Sequence, residues 1–274
     1  MTRPALLESV RAVAEVLGGT LYGSGDRSIR HVTIDSRRCE GGSLFVALPG
    51  ENTDGHRFVA DVLRSGAAGA LVSHQYVARA ADDVQRLVSE TGGAVCAVAD
   101  PLSGLQELAR RRLVRFPHLT RVGITGSNGK TTTKELVSSV LSRKASTFKT
   151  KGNFNSEIGV PLSVFEVEED HVYGVFELAM NHVGEMEVLA DIVRPDVALI
   201  TNIGTAHIGL VGSRDGIARE KRRVFSRFDG SQTAVMYESE PYREMLEEGL
   251  SGRVLLFGEE TTPDGIDSTV RRRW

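Results

Sequence analysis

The sequence is poor in the residues that build disulfide-rich, membrane or strongly charged proteins. Only two of its 274 residues are cysteines, and Cys39 and Cys96 lie far apart in no metal-ligand spacing. This excludes a disulfide framework and is typical of a reducing compartment. The formal net charge is only -3, so no excess of one sign points to nucleic acid or a membrane surface as a partner. No apolar run is long enough to span a bilayer.

The first residues also lack the features of a secretion signal. Apolar residues within 6–17 recur at helical spacing with charged residues between them, and Gly18-Gly19 ends the pattern. The pattern predicts an amphipathic helix without the continuous apolar core of a signal peptide. We therefore expect a cytoplasmic protein without membrane insertion, long enough for one large or two ordinary domains.

The most informative stretch is the glycine-rich segment 121–133. An apolar strand runs into Gly-Ser-Asn-Gly-Lys-Thr-Thr, and a segment with helical spacing of apolar residues follows. Glycines let the backbone approach an anion, and a helix N-terminus directs free N–H groups at phosphates. Lys130 is expected to reach the terminal phosphates and Thr131 to offer its hydroxyl to Mg²⁺. The predicted nucleotide-binding residues are Gly126, Ser127, Asn128, Gly129, Lys130, Thr131 and Thr132.

This loop departs from the general phosphate-loop pattern in one position. Ile124 stands where the pattern has its first glycine, and Gly123 comes one position too early. The loop is therefore a shortened Gly-x-x-Gly-Lys-Thr variant. An ordinary strand-to-helix turn is the alternative, but the order of strand, glycines, lysine and helix favours nucleotide binding.

Strands and helices alternate along the chain, which predicts a mostly parallel sheet with helices on both faces. We expect an α/β protein with a small N-terminal α/β domain, residues 1–99, and a P-loop nucleotide-binding domain, residues 100–274. Strands are predicted at 29–34, 44–48, 68–72, 94–98, 122–124, 173–178, 197–202, 234–237 and 254–257. Helices are predicted at 57–65, 101–116, 130–142, 185–193 and 215–228, and residues 82–100 are mixed, with the short strand at 94–98 among them. A further strand starts at 268–270, so we expect the second domain to be cut short.

Polar residues gather after the nucleotide loop. Segment 150–161 holds Asn153 and Asn155 between glycines, which suits hydrogen bonding to a polar ligand, although such segments are more often structural loops. Glu177 ends an apolar strand, at the sheet edge where ligands bind in this architecture, and the alternative is a solvated carboxylate. Asn181 and His182 follow at the same rim.

Two further polar residues are ambiguous from the residues alone. His207 follows the strand predicted at 197–202 on its carboxyl side, where it could ligate a metal or orient a phosphate, but a lone histidine is usually neither. Lys221 lies in a helix whose charge pattern is that of a solvated surface face.

Together these segments resemble the Mur ligase family, the ATP-dependent amide-forming enzymes of peptidoglycan precursor synthesis. The resemblance spans nearly the whole chain and is carried by residues 35–37, 42–50, 54–58, 125–133, 151–155, 159–162, 177–185 and 201–207. Lys151-Gly-Asn-Phe-Asn155 and Asn181-His-Val-Gly-Glu185 favour the branch that adds D-Ala-D-Ala to UDP-N-acetylmuramoyl-tripeptide. Ser156 stands where that branch usually has a second asparagine.

The resemblance implies ATP and Mg²⁺ as cofactors and a set of site residues. Lys130, Glu177, His207 and Lys221 would be catalytic, with Thr131 and Glu177 helping to hold one Mg²⁺ and His207 a second. Lys221, if carbamylated, would become an anionic oxygen donor to the metal. The residues implied to bind substrate are Ser36, Arg37, Asn52, Asp54, Gly55 and His56 at the UDP-sugar end, with Asn153, Asn155, Asn181 and His182.

The resemblance also implies a third, C-terminal domain that this chain lacks. We therefore expect a monomer whose 274 residues are inactive alone. Two other interpretations stay open at this point: another Mur or folylpolyglutamate-type ligase with a different amine, and a non-catalytic module that binds a nucleotide or a UDP-sugar.

Overall fold

The computed structural model describes residues 7–50, 53–206, 208–258 and 271–273. The chain divides into two compact units, Met1–Arg112 and Leu113–Trp274, each with its own sheet. The border between the units falls inside a helix. The functional division at residues 99 and 100 stays a prediction.

The first unit contains a sheet of order β1-β5-β4-β3-β2, in which only the β1–β5 pair is antiparallel. Its strands are β1 (Thr20–Tyr22), β2 (His31–Thr33), β3 (Ser43–Val46), β4 (Gly69–Ser73) and β5 (Ala94–Val98). Its helices are α1 (Val10–Leu17), α2 (Val59–Arg64), α3 (His74–Arg79) and α4 (Ala81–Thr91), with 3-10 turns at Ser36–Arg38 and Gly55–Phe58, and α5 (Pro101–Val114) follows. β3 and β5 are buried along their whole length, as central strands of a covered parallel sheet are.

Parts of this unit differ from the sequence prediction. β1 and α3 were not predicted, and residues 82–100, predicted as mixed with a strand at 94–98, begin with a helix, because α4 runs from Ala81 to Thr91. Its buried residues Val84, Leu87 and Val88 have the spacing of one helix face. The run of charged residues around them hid this short pattern. The strand predicted at 94–98 is confirmed without change.

The second unit contains a sheet of order β12-β11-β10-β9-β6-β8-β7, in which only the β11–β12 pair is antiparallel. Its strands are β6 (Thr120–Thr125), β7 (Thr147–Lys149), β8 (Tyr173–Glu177), β9 (Val197–Ile200), β10 (Thr233–Tyr237), β11 (Arg253–Phe257) and β12 (Arg271–Arg273). Its helices are α6 (Lys130–Ser142), α7 (Gly159–Val164), α8 (Glu185–Val193), α9 (Ile208–Val211), α10 (Arg214–Arg222) and α11 (Arg243–Glu247), with a 3-10 turn at Arg223–Phe225. The mostly parallel α/β fold is confirmed.

Several predicted elements of this unit agree closely with the structure. The helices predicted at 130–142 and 185–193 have those bounds. The helix predicted at 215–228 ends at Arg222, and a 3-10 turn continues it. The strand start at 268–270 lies outside the described residues.

The strand order places a crevice at one edge of the second sheet. β6 lies between β9 and β8. From β6 the chain passes through α6 to β7, on the far side of β8, whereas from β8 it passes through α8 to β9, on the other side of β6. Right-handed crossovers therefore put α6 and α8 on opposite faces of the sheet. The connections after β6 and β9 diverge at the carboxyl ends of these neighbouring strands, and open α/β sheets bind ligands at such points.

The helices are short throughout the described ranges. α5 has 14 residues and α6 has 13, and both contain charged residues. Among the helices that the structure describes, none combines the length and apolar character needed to cross a bilayer.

Candidate nucleotide-binding site

The glycine-rich segment connects β6 to α6, and we call residues 126–129 the phosphate loop. Gly126 and Gly129 have φ values of 145° and 79°, which other residues rarely adopt. A Cβ atom on Gly126 would lie 1.8 Å from the hydroxyl oxygen of Thr201, so no larger residue fits there. Gly129 directly precedes α6, whose first N–H groups have no carbonyl partner within the helix. An anion can accept hydrogen bonds from these groups.

Two lysines lie against the phosphate loop from different elements. The Nζ atom of Lys130 donates to the carbonyl oxygens of Gly126 (2.9 Å) and Ser127 (3.3 Å). The Nζ atom of Lys221, on α10, donates to the same Gly126 oxygen (3.0 Å). Lys221 is only 1% exposed, so the interpretation of it as a solvated surface residue is wrong. The structure brings this lysine, 95 positions from Gly126 along the chain, to the predicted nucleotide loop.

Burial lowers the pKa of both lysines. Desolvation lowers the pKa of Lys130, and the negative charge of Glu177 opposes that shift. Desolvation, together with the positive charge of Lys130, lowers the pKa of Lys221 to about 7, against the opposing charge of Glu220. A large fraction of Lys221 is therefore an uncharged amine at neutral pH, which makes it a nucleophile.

Glu177 is buried beside the first turn of α6, so the solvated alternative for this residue is also wrong. It is 2% exposed. Its Oε1 atom accepts hydrogen bonds from the hydroxyl of Thr131 (3.2 Å) and the side-chain amide of Asn155 (2.8 Å). Its backbone N–H donates to the hydroxyl of Thr150 (3.0 Å). Thr131 and Asn155, predicted site residues from separate segments, thus both contact the carboxylate of Glu177, a third predicted site residue.

Sequence reasoning missed Lys134, which lies on the other side of this carboxylate. Its Nζ atom is 3.5 Å from Oε2 of Glu177 and 3.3 Å from Oε1 of Glu135, and the side chain is 1% exposed. Lys134 follows Lys130 by one helical turn of α6, so both lie on the same helix face. That spacing was the available signal, but a helix lysine ordinarily indicates a surface position.

The oxygen atoms around Thr131 and Glu177 fit a magnesium ion. Both are hard donors, and Mg²⁺ binds one or two protein oxygens and completes its shell with water and phosphate oxygens. Oε2 of Glu177 is buried and accepts no hydrogen bond from any described residue. Within the described ranges no cluster of three His, Cys, Asp or Glu side chains could hold a metal unaided. His207, the predicted ligand of a second Mg²⁺, lies outside the described residues.

A rim of exposed polar residues flanks this cluster. Asn153, Asn181 and His182 are exposed. His182 Nδ1 lies 2.9 Å from Oε1 of Glu185, and Oε1 of the buried Glu220 accepts from the backbone N–H groups at the start of α8. Buried carboxylates therefore hold His182 and the start of α8, while Asn153, Asn181 and His182 remain exposed to solvent.

The predicted UDP-sugar residues of the first unit fall into two classes. Arg37 is 88% exposed and paired with Asp35, and Ser36 begins the same 3-10 turn. His56, by contrast, is 9% exposed and both its ring nitrogens have partners. Nδ1 lies 2.6 Å from Oδ1 of Asp54, and Nε2 accepts from the backbone N–H of Ser73 (3.0 Å).

The hydrogen bonds of His56 fix its tautomer. Nε2 is an acceptor, so the proton is on Nδ1, which donates to Asp54. The backbone N–H of His56 also donates to Asp54 and is the main cause of the lowered pKa of that carboxyl. Gly55 is needed for close packing, since a Cβ there would lie 2.9 Å from backbone atoms of Leu48. His56 therefore shapes the loop, whereas Asp54 stays half exposed; Asn52 lies outside the described residues.

Comparison with known families matches both units. Residues 124–271 match the Mur ligase middle domain, and residues 28–113 match the Mur ligase family, catalytic domain. The first match contains the phosphate loop, Glu177 and Lys221, and the second contains Arg37 and His56.

Several similar proteins are UDP-N-acetylmuramoyl-tripeptide–D-alanyl-D-alanine ligases. The one from Treponema pallidum is 41% identical over 250 residues, which cover 90% of this chain and 54% of that protein. The one from Bacillus subtilis is 35% identical over 259 residues, which cover 93% of this chain and 53% of that protein. The chain thus spans about half the length of the curated relatives it matches.

Solved structures of MurF ligases are also similar to this chain. A crystal structure of MurF from Acinetobacter baumannii superposes with a TM-score of 0.81 at 36% identity, covering 93% of this chain and 54% of that one. The MurF ligase from Thermotoga maritima in complex with ADP gives a TM-score of 0.73 at 33% identity, covering 84% and 51%. With a family match over more than half of its residues, the chain belongs to the Mur ligase family.

Proposed function

We propose that this chain carries the nucleotide and UDP-sugar sites of an ATP-dependent ligase that adds D-Ala-D-Ala to UDP-N-acetylmuramoyl-tripeptide. The observation that carries the proposal is the buried Glu177 carboxylate, which Thr131 and Asn155 contact beside the phosphate loop. The ligases from Treponema pallidum and Bacillus subtilis, which bear that substrate in their names, support the substrate assignment.

The nucleotide is proposed to bind through the phosphate loop and α6. The free N–H groups of the first turn of α6 donate to the β- and γ-phosphates. Lys130 exchanges the carbonyl oxygens of Gly126 and Ser127 for phosphate oxygens, which are better partners because they are charged. The structure with ADP from Thermotoga maritima supports a nucleotide in this family fold.

Mg²⁺ is proposed to be held by the Thr131 hydroxyl and Glu177, where it would offset charge on the phosphates. Asn155 keeps Oε1 of Glu177 oriented, and Lys134 offsets charge at Oε2. His207 is the proposed holder of a second ion. The described residues do not test that assignment.

The proposed reaction has two steps. A carboxylate oxygen at the end of the tripeptide attacks the γ-phosphorus of ATP, the bond to the β-phosphate oxygen breaks, and ADP leaves. The amine of D-Ala-D-Ala then attacks the carbonyl carbon of the acyl phosphate, inorganic phosphate leaves, and the amine nitrogen loses a proton. The chain's residues mainly position groups and offset charge, as phosphoryl transfer requires.

Lys221 is a proposed site of carbamylation. Its uncharged amine would attack the carbon of CO₂ and release one proton, and the resulting carbamate is an oxygen donor, whereas an ammonium cannot bind a cation. The lowered pKa of about 7 and the position beside Gly126 support this. NMR after equilibration with isotope-labelled bicarbonate tests it, since a carbamate carbon absent in Lys221→Met identifies the adduct. A fully active enzyme with an unmodified amine would remove the hypothesis.

The first unit is proposed to hold the UDP-sugar through its exposed polar groups. Arg37 and Asp54 are candidates for direct contact with the UDP-sugar. Ser36 and Gly55 begin the 3-10 turns beside them and are proposed to position them. We further propose a cytoplasmic protein, because the sparse cysteines suit a reducing compartment, and we propose that it is a monomer.

Binding and turnover test the proposal separately. Calorimetry on the 274-residue chain measures binding of ADP with Mg²⁺ and of UDP-N-acetylmuramoyl-tripeptide. Phosphate release in the product of the complete reading frame measures ligation, with D-Ala-D-Ala compared against single amino acids and glutamate. Turnover with D-Ala-D-Ala supports the proposal, and preference for another amine assigns a different ligase. Binding of neither ligand by the folded chain would refute the proposed function.

A further inference from the structure

We infer that Asn202 is a positioning residue that holds the phosphate loop in its anion-binding shape. The inference deepens the proposed function and rests on it for the identity of the anion. Asn202 comes shortly after the end of β9. β9 pairs with β6, the strand that leads into the phosphate loop. None of the nucleotide-binding roles assigned above uses it.

The side-chain amide of Asn202 makes two hydrogen bonds to the backbone of one loop residue. Its Oδ1 atom accepts from the N–H of Asn128 (3.1 Å), and its Nδ2 atom donates to the carbonyl oxygen of Asn128 (3.1 Å). A primary amide has one donor side and one acceptor side, as a backbone peptide has. Asn202 thus pairs with Asn128 as a neighbouring strand would.

Three further hydrogen bonds join the segment after β9 to the loop. The carbonyl oxygen of Asn202 accepts from the N–H of Ser127 (2.9 Å). The hydroxyl of Thr201 donates to the carbonyl oxygen of Asn128 (2.6 Å), and the N–H of Gly204 donates to the hydroxyl of Ser127 (2.8 Å). Both loop residues between the two glycines are therefore anchored on the same side.

This anchoring determines which loop amides a phosphate can use. The N–H groups of Ser127 and Asn128 already have protein acceptors, which leaves the groups from Gly129 into the first turn of α6 for an anion. These bonds join protein atoms only, so they can order the loop without help from a phosphate. A binding site ordered in advance loses less entropy on binding and has a higher affinity.

The first test is amide exchange by NMR on the chain without nucleotide. In Asn202→Ala the Asn128 amide loses its acceptor and should exchange about tenfold faster or more, whereas Ser127 keeps the backbone acceptor at residue 202 and stays slow. Asn128 is exposed, so water replaces the lost bonds and the fold survives. Asn202→Asp keeps an acceptor for the Asn128 amide, which should stay slow.

The second test is affinity for ADP with Mg²⁺ by calorimetry. Asn202→Ala should weaken binding about tenfold, as loss of two modest hydrogen bonds predicts. Gln232→Ala is the matched control: its amide oxygen also accepts one backbone N–H, from Asp229 (2.8 Å), outside the site, and its removal should leave affinity unchanged.

The two tests separate failure of this inference from failure of the proposed function. If the wild-type chain does not bind ADP, the proposed function fails, and the exchange rates still decide whether Asn202 holds the loop. If Asn202→Ala leaves both the Asn128 exchange rate and the ADP affinity at wild-type values, the inference is overturned. Faster exchange together with weaker binding supports it.

Discussion

Lys130 and Lys221 donate to the same acceptor, the carbonyl oxygen of Gly126, at 2.9 and 3.0 Å. Burial, and then the positive charge of Lys130, lowers the pKa of Lys221, so the deeper of the two lysines loses its proton more easily. Lys130 begins α6, directly after the phosphate loop, and Lys221 lies on α10. The shared acceptor therefore connects the nucleotide site to α10, where Lys221 is the proposed site of carbamylation.

Replacing Lys130 should raise the pKa of Lys221. The positive charge of Lys130 lowers that pKa, so Lys130→Met removes an unfavourable interaction with the charged form of Lys221. NMR titration of isotope-labelled lysine side chains measures the pKa directly. A matched change at Lys144, an exposed lysine beyond the end of α6, should leave it unchanged. An unaltered pKa in Lys130→Met would show that burial alone sets its value.

Lys221 should make stability depend on pH in a defined direction. Its pKa is about 7 in the folded chain and about 10 when unfolded, so between these values the unfolded chain binds more protons. The cost of burying Lys221 is therefore complete below about pH 7 and is relieved as pH rises. Relative to wild type, Lys221→Met should be most stabilised at acidic pH, by a margin that shrinks by up to about 1.4 kcal/mol per pH unit above neutrality.

Urea unfolding of both proteins in CO₂-free buffer, from about pH 6 to about pH 9, measures this margin. The absence of CO₂ prevents carbamate formation from adding a second pH-dependent term. A margin that stays constant across the range would contradict the buried, uncharged amine.

Removing one partner of the Lys134–Glu177 pair should destabilise the fold more than replacing both partners by uncharged residues. Lys134→Met leaves a buried carboxylate without its counter-charge, and we expect it to lower the free energy of unfolding by about 3 kcal/mol. The double variant Lys134→Met with Glu177→Gln should recover most of that loss, because no unpaired charge remains. Glu135→Gln is the control, since the exposed Glu135 also contacts Lys134 but should change stability by less than about 1 kcal/mol.

Denaturant unfolding of wild type, Lys134→Met, Glu177→Gln and the double variant completes a double-mutant cycle for this pair. A loss of stability in the double variant equal to the sum of the two single losses would show that the two side chains do not interact.

In the first unit, substitution of Arg37 should affect substrate binding, whereas substitution of His56 should affect the stability of the fold. Arg37→Ala removes an exposed group and should weaken UDP-N-acetylmuramoyl-tripeptide binding without a change in melting temperature. His56→Ala leaves the N–H of Ser73 without its acceptor and removes the ring donor, though not the backbone donor, of Asp54, and should lower stability by about 2 kcal/mol. Calorimetry and thermal unfolding measure the two effects. Equal loss of stability in both variants would contradict this division.

Much of the fold could be predicted from the sequence because its signals are local. The phosphate loop has its glycines, lysine and helix in order, and α6 and α8 have the predicted bounds. Glu177 could be placed at the ligand-binding edge because strand ends in a parallel sheet share one edge. The family resemblance, rather than the residues alone, supplied the role of Lys221.

What the sequence did not reveal depends on long-range burial. Lys134 and Lys221 are charged residues on helices, and only the packed structure shows that both are inaccessible. The two-point bond from Asn202 to Asn128 joins residues 74 positions apart, so no local pattern could signal it. The hydrogen bonds of both ring nitrogens of His56 to Asp54 and Ser73 also come from tertiary structure, and its contact with substrate stays a prediction.

Calorimetric titration of the 274-residue chain with ADP and Mg²⁺ tests the central claim most directly. The account predicts saturable binding by the wild-type chain and a loss of at least about a hundredfold in affinity for Lys130→Ala, since a charge-assisted contact to the phosphates is removed. Circular dichroism confirms that both proteins are folded. A folded wild-type chain without affinity for ADP, or a Lys130→Ala variant that binds as well as wild type, would contradict it.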